Sequence, residues 1–340
     1  MKIRATRRFA LLWAALCLLA APLQADILFV GNKSAHTVWG IDLATGERRV
    51  TFESGIGPHE IEISPDGRYA VVSNYGSREE VGNSLTVIDW PAGEVARVVD
   101  LGENTRPHGM AFLPDGRIVV TTEGSDSLVV VDIEKGAVLE RIEVGEGVAH
   151  MAAASPDGRF AWVTNISAGT LEKVDLEAGR VVGRRDTGGG AEGVAVAADG
   201  AEVWVTNRAD DTVSVIDAET LEVLATLDSE GFPIRIAITP DGRQALVTNA
   251  RAATLSVFDI ETRERVATVQ VADPEGDYQE TLLGDDALPI GIEIHPDGAR
   301  AFIAVSGGNH LAVIDTASWE VVDRWTTGRE PDALGIIAGK

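Results

Sequence analysis

Apolar positions along this chain come in short bursts, broken every few residues by glycine, proline or aspartate. Ile61-Glu-Ile63 and Glu222-Val-Leu-Ala-Thr-Leu227 are short, largely apolar stretches, and Ala161-Trp-Val-Thr164 is β-branched and aromatic. Such residues suit a pleated, half-buried surface, and the repeating part of the chain shows no helical spacing. The predicted elements are short strands.

The strands recur with a period. Ser155 to Asn165 reads SPDGRFAWVTN, Ser64 to Asn74 reads SPDGRYAVVSN and Thr239 to Asn249 reads TPDGRQALVTN; Leu113 to Glu123, Ala197 to Asn207 and His295 to Val305 are degenerate copies. Their turn aspartates are Asp66, Asp115, Asp157, Asp199, Asp241 and Asp297, at spacings of 49, 42, 42, 42 and 56 residues. Pro-Asp-Gly is turn chemistry, because proline presets φ and glycine takes φ > 0 cheaply. A second series, a hydrophobic residue before Asp42, Asp89, Asp132, Asp175, Asp217, Asp259 and Asp315, closes a further strand in each of seven units. Four strands in each 40–45 residues is the blade of a β-propeller. The chain is predicted to be all-β: seven blades, each a four-stranded antiparallel sheet.

Ring closure is predicted as well. Residues 26–52 carry three strands, and the missing inner strand is Ala333 to Ile337, so the C-terminal strand joins the N-terminal blade and covers edges that would otherwise be open. The remaining blades are expected at about 58–102, 107–145, 149–187, 191–229, 233–272 and 289–328. Two stretches break the period: residues 75–83 add seven residues to one loop, and residues 273–287 add fourteen to another. Both project from one face of the ring, where function-bearing loops are expected.

Trp162 to Asn165, Trp204 to Asn207 and Leu246 to Asn249 resemble the signature of the YVTN-repeat propellers, as does Thr212-Val-Ser-Val-Ile-Asp217. The resemblance spans essentially all of residues 26–340. It implies a seven-bladed extracytoplasmic propeller, similar to cytochrome d1 and lactonase propellers. That family has no single activity, so function must be argued from the site.

Residues 1–25 read as a signal peptide. Lys2, Arg4, Arg7 and Arg8 precede an apolar core from Phe9 to Ala21, and Leu23-Gln-Ala25 forms a cleavage site before Asp26. The apolar run is short for a transmembrane span, so no membrane anchor is expected. Sec export is expected ahead of the twin-arginine route, and the destination is periplasmic or secreted. Cys17 lies inside this segment and is the one cysteine, so the mature chain has neither disulfides nor thiolate ligands. Removing the segment's four basic residues takes the net charge from −24 to −28. That acidity argues against a nucleic-acid partner. It suits a soluble monomer that meets cations, or a small molecule or protein, at its irregular face.

Candidate chemistry appears when the blades are aligned. Seven residues before the turn aspartates stand His59, His108, His150, Glu192, Ile234 and Ile290, and Asp332 takes that place in the closing strand. Ring symmetry puts them at one height at the channel mouth, with a polar arc facing an apolar one. Three imidazoles and carboxylates suit a borderline metal such as Zn²⁺ or Cu²⁺, with His59, His108 and His150 as ligands. They also suit acid–base work, or plain hydrogen bonding to loop backbone. The repeat asparagine, represented by Asn32, Asn74, Asn165, Asn207 and Asn249, is read as structural; Glu123 replaces it in the His108 blade, as a further ligand or a neutral change. His36, His310, Arg78, Arg208 and Arg251 lie in loops of the same face. There is no Gly-x-Ser-x-Gly elbow, phosphate loop, His-Glu-x-x-His or c-type haem motif. Three functions stay open: a binding or scaffold module, a metal-dependent, lactonase-like hydrolase, and a redox accessory protein.

Overall fold

The computed structural model describes residues 26–281 and 283–339. The signal-peptide reading of residues 1–25 lies outside them. Among the described residues, twenty-eight strands form seven separate four-stranded antiparallel sheets. One sheet has the order Pro331–Ile337, Ile27–Asn32, Thr37–Asp42, Arg48–Glu53, so the C-terminal strand is the innermost strand of the first blade. Its register runs Ile27↔Ile337 to Asn32↔Pro331. The innermost strands of the other blades are Pro58–Ile63, Pro107–Phe112, Ala149–Ala154, Ala191–Val196, Pro233–Ile238 and Pro289–Ile294.

Local chemistry explains the period. Asp157 Oδ1 accepts from Arg159 N–H at 3.0 Å and from the Ser155 hydroxyl, while Gly158 sits at φ 72°. The other aspartate series works in the same way, with Asp217 Oδ1 accepting from Glu219 N–H at 3.0 Å and Thr220 N–H at 2.7 Å. These are side-chain-to-backbone turns that end one strand and start the next. Packing joins the blades. Trp204 is fully buried with Val213, Ile236 and Phe258, and Trp162 lies against Leu171, Ala191 and Val203 of its own and the next blade.

A second device positions the site. The residue just before every innermost strand has φ > 0: Gly57, Arg106, Val148, Gly190, Phe232, Leu288 and Glu330. For Val148, Phe232 and Leu288 this is a strained conformation that the surrounding structure must hold. In each blade the pairing of the innermost strand then slips near its start, as between Pro58↔Asn74 and Ile61↔Val72. A bulge re-aims the side chains at the slip, and His59, His108, His150 and Glu192 sit at these slips.

The two insertions behave differently. Residues 75–83 largely extend a hairpin, Tyr69–Gly76 with Val81–Asp89, around a turn in which Ser77 N–H donates to Glu80 O at 2.7 Å. Residues 273–281 and 283–287 stay irregular, and Gln279 tethers them, its side chain donating to Ser306 O and Asn309 Oδ1. No helix among the described residues is long and apolar enough to cross a membrane.

Candidate functional site

The residues aligned seven before the turn aspartates meet as expected in register. His59, His108, His150, Glu192, Ile234, Ile290 and Asp332 all line one cavity of about 310 Å³ at the channel end where the long loops lie. They form its floor rather than an open rim. His108 is 1% exposed, and His59, His150, Glu192 and Asp332 are buried. The slip in each innermost strand turns these side chains inward, and a further set covers them. That set is the residue following the repeat asparagine or its substitute, and it supplies Lys33, Tyr75, Ile166 and Arg208 to the cavity. Thr281 and Leu283 of the 273–287 loop add to the wall.

The imidazoles touch in series. Ring centroids are 4.1 Å apart for His59–His108 and 3.9 Å for His108–His150. His150 is held at both nitrogens: Nδ1–H donates to Glu123 Oε1 at 2.5 Å and Nε2–H to Glu192 Oε1 at 2.6 Å. Burial disfavours its charge, but Glu192 and Glu123 outweigh burial and raise its pKa to about 9. Burial likewise opposes ionised Glu192, and His150, Arg235 and Arg208 overcome it, bringing the pKa to about 2. Glu123 also stays below the usual carboxylate range despite burial, because His150 and the Tyr75 hydroxyl donate to it. So Glu123, read at first as a neutral change or a ligand, belongs to the cluster.

His108 is different. Its Nδ1 is buried with no hydrogen-bond partner and lies 3.8 Å from Glu60 Oε1; its Nε2 is 3.9 Å from Glu123 Oε1. Burial, then the neighbouring His150 and His59, hold its pKa well below the ordinary histidine value. A neutral imidazole thus stands beside an imidazolium. At the far end, Asp332 Oδ2 is 2.8 Å from His59 Nδ1, a close contact without hydrogen-bond alignment. Lys33 Nζ is 3.3 Å from both Asp332 Oδ2 and His59 Nε2.

Five contributors escaped the sequence alignment. Arg235 follows Ile234 on the arc expected to be apolar, yet its guanidinium reaches Glu60 Oε1 at 2.5 Å and Glu192 Oε1 at 3.3 Å. The signal was a lone arginine in the apolar strand Pro233–Ile238, and a glutamate beside His59 in Pro58–Ile63. Lys33 and Tyr75 carried a register signal, one place after Asn32 and Asn74. Arg208, noted only as a loop arginine, pairs with Glu192 Oε2 at 2.7 Å. His36, His310 and Arg251 are not brought to the cavity. His36 Nδ1 accepts from Gly57 N–H, His310 contacts Gly308 O, and Arg251 lies over the Phe232 ring. The repeat asparagines are structural: Asn74 accepts from Gly55 N–H and donates to Ser84 and Thr86, and Asn249 joins Thr254 and Ser256.

Comparison with known proteins agrees with the fold. The family model described as YNCE-like β-propeller matches residues 114–282. With seven blades in a closed ring, this bears out the resemblance to the YVTN-repeat propellers. A chain of hydrazine synthase from Kuenenia stuttgartiensis is similar at 21% identity, with 81% of this chain and 88% of that chain covered and a TM-score of 0.68. A functionally unknown protein from Desulfotomaculum acetoxidans is similar at 16% identity, covering 92% and 99%, with a TM-score of 0.74. Both likenesses concern the fold. No curated protein matches.

Proposed function

We propose that this propeller is an exported ligand-binding module whose cavity at the channel mouth takes a small molecule. The observation that supports it is convergence: side chains from all seven blades line one cavity, with polar groups from His59 round to Glu192 and apolar groups at Ile234, Ile290 and Leu283, and at Val148 and Ile166 beside His150. Its volume of about 310 Å³ is at the low end of ligand sites, roughly 300–1,000 Å³. A mixed lining of this kind fixes orientation with a few polar groups and gains affinity from apolar contact. The ligand class is compact, with an apolar body and one polar end. That end meets a neutral imidazole, His108, and an imidazolium, His150.

The test is a thermal-shift screen with isothermal titration of the hits, wild type against Ile166→Trp. Ile166 is half-buried at the mouth, so a larger side chain fills the opening without entering the core. Loss of binding at an unchanged melting temperature supports the reading; equal binding by both proteins overturns it. A second reading, metal-dependent hydrolysis, draws on the neutral His108 as a base beside carboxylates, and ester turnover that stops on chelation would favour it. Visible absorption bands in the purified protein would instead favour a redox accessory role.

A further inference from the structure

We infer that His108, His150 and Glu123 form a binding site for a divalent transition metal, of the Zn²⁺ or Cu²⁺ class, in the floor of the cavity. This rests on the reading of the cavity as a binding pocket and narrows its chemistry. The set differs from the three imidazoles suggested by register: His59 drops out and Glu123 enters.

Three observations carry the assignment. The first is donor geometry. One donor atom from each of the three residues lies within 4.8 Å of the others. His150 Nδ1 and His108 Nε2 are 2.5 and 3.9 Å from the same oxygen, Glu123 Oε1. A tetrahedral ion bound at about 2.0–2.2 Å needs donors roughly 3.4 Å apart, so the observed separations bracket that requirement.

The second is what holds the far side of each ligand. Metal-bound imidazoles commonly give their other N–H to a carboxylate, which fixes tautomer and ring orientation. His150 Nε2 is already on Glu192 at 2.6 Å, and His108 Nδ1 faces Glu60 Oε1 at 3.8 Å. The second oxygen of Glu123 is held by the Tyr75 hydroxyl. Glu192, in register with the histidines, thereby becomes a positioning residue. The buried Nδ1 of His108 has no hydrogen-bond partner, and a Glu60 acceptor drawn closer when Nε2 takes a metal would supply one.

The third is the distribution of basic side chains. Lys33 lies on Asp332 and His59, Arg208 on Glu192, and Arg235 on Glu60 and Glu192. Among the described residues, no lysine or arginine forms an ion pair with Glu123. The competing group, His59 with Glu60 and His108, also has clustered donors. There Lys33 and Arg235 already occupy His59 Nε2 and Glu60 Oε1 and oppose a second cation. On binding, the metal takes the Nδ1 lone pair of His150, and the proton that Nδ1 shared with Glu123 leaves to solvent.

The experiment uses the mature chain, freed of metal by a chelator and dialysed. ZnCl₂ is titrated calorimetrically, and CoCl₂ is followed by its visible ligand-field bands. The expected result is one ion per chain. His108→Ala and Glu123→Gln should each weaken affinity at least about tenfold, and Glu192→Gln about tenfold. His310→Ala, outside the cavity, should leave affinity unchanged, and His59→Ala should weaken it less than His108→Ala. Glu123→Gln preserves shape, so it tests the site even where His108→Ala fails to fold; circular dichroism and melting temperature check both. Absence of one-to-one binding, wild-type affinity in Glu123→Gln, or a loss in His59→Ala as large as in His108→Ala overturns the assignment. Repeating the small-molecule titration in chelator separates the two readings. Ligand binding without metal binding sinks this inference alone, and metal binding with no small-molecule ligand sinks the pocket reading alone.

Discussion

Glu192 accepts a hydrogen bond from His150 Nε2 at 2.6 Å across the seam between two blades, and the two residues stand 42 positions apart at the same place in consecutive repeats. The pair is buried and doubly supported, with Glu123 on the other imidazole nitrogen and Arg208 and Arg235 on the carboxylate.

A pH dependence follows for the metal-free protein. His150 has its pKa raised to about 9, above the unfolded value of about 6.5, so its contribution is complete below pH 6.5 and is lost as pH rises through 9. Glu192 has its pKa lowered to about 2, so its contribution is present above an unfolded value of about 4.3 and is lost as pH falls toward 2. Stability should therefore fall between about pH 7 and 10, and Glu192→Gln should flatten that alkaline decline. Denaturant midpoints across pH check this; an alkaline slope identical in wild type and Glu192→Gln contradicts it.

Arg235 is buried between Glu60 and Glu192, and those carboxylates raise its pKa against the effect of burial. Arg235→Ala leaves half-buried Glu60 without its arginine partner and buried Glu192 with only Arg208 and His150, and should cost up to about 3 kcal/mol. Arg235→Met with Glu60→Gln removes a charge of each sign and should recover much of that loss, since a buried pair exchanged for neutral groups is often near neutral. Urea unfolding of the three proteins measures it; a single variant as stable as wild type removes the buried-network account.

Removal of residues 331–340 takes away the innermost strand of the first blade, and with it Asp332. The edges of Ile27–Asn32 and its neighbours then stand open to water and to other chains. The expected outcome is loss of the cooperative melt and aggregation on size-exclusion chromatography. A truncated protein that melts like wild type would refute ring closure as a requirement for folding.

Export has its own measurement. Intact mass spectrometry of protein from the periplasm should give an N-terminus at or near Asp26. Asp26 has contacts that begin the described fold: Oδ1 accepts from Gly339 N–H at 2.6 Å and Oδ2 lies 3.2 Å from His295 Nε2. Recovery of the chain with Met1 in a membrane fraction would contradict cleavage.

The ring was legible in the residue order because its causes are local. Turn aspartates such as Asp157 and Asp217 bind backbone two or three residues on, so strand ends repeat wherever that chemistry repeats. Rotational symmetry then converts a position in the repeat into a height in the channel, which is why His59, His108, His150, Glu192 and Asp332 were found together without knowledge of any contact. Folding decided the rest. Arg235 crosses from the apolar arc to Glu60, 175 residues away, and that reach depends on the channel's width and the length of a side chain, neither of which leaves a periodic mark. The same holds for charge. His108 and His150 occupy one register, yet one is driven neutral and the other kept protonated, because desolvation acts on both while, of the two imidazoles, only that of His150 hydrogen-bonds to Glu123 and Glu192. Repeat position assigned these residues to a layer; their protonation and partners were set by distances across the closed ring.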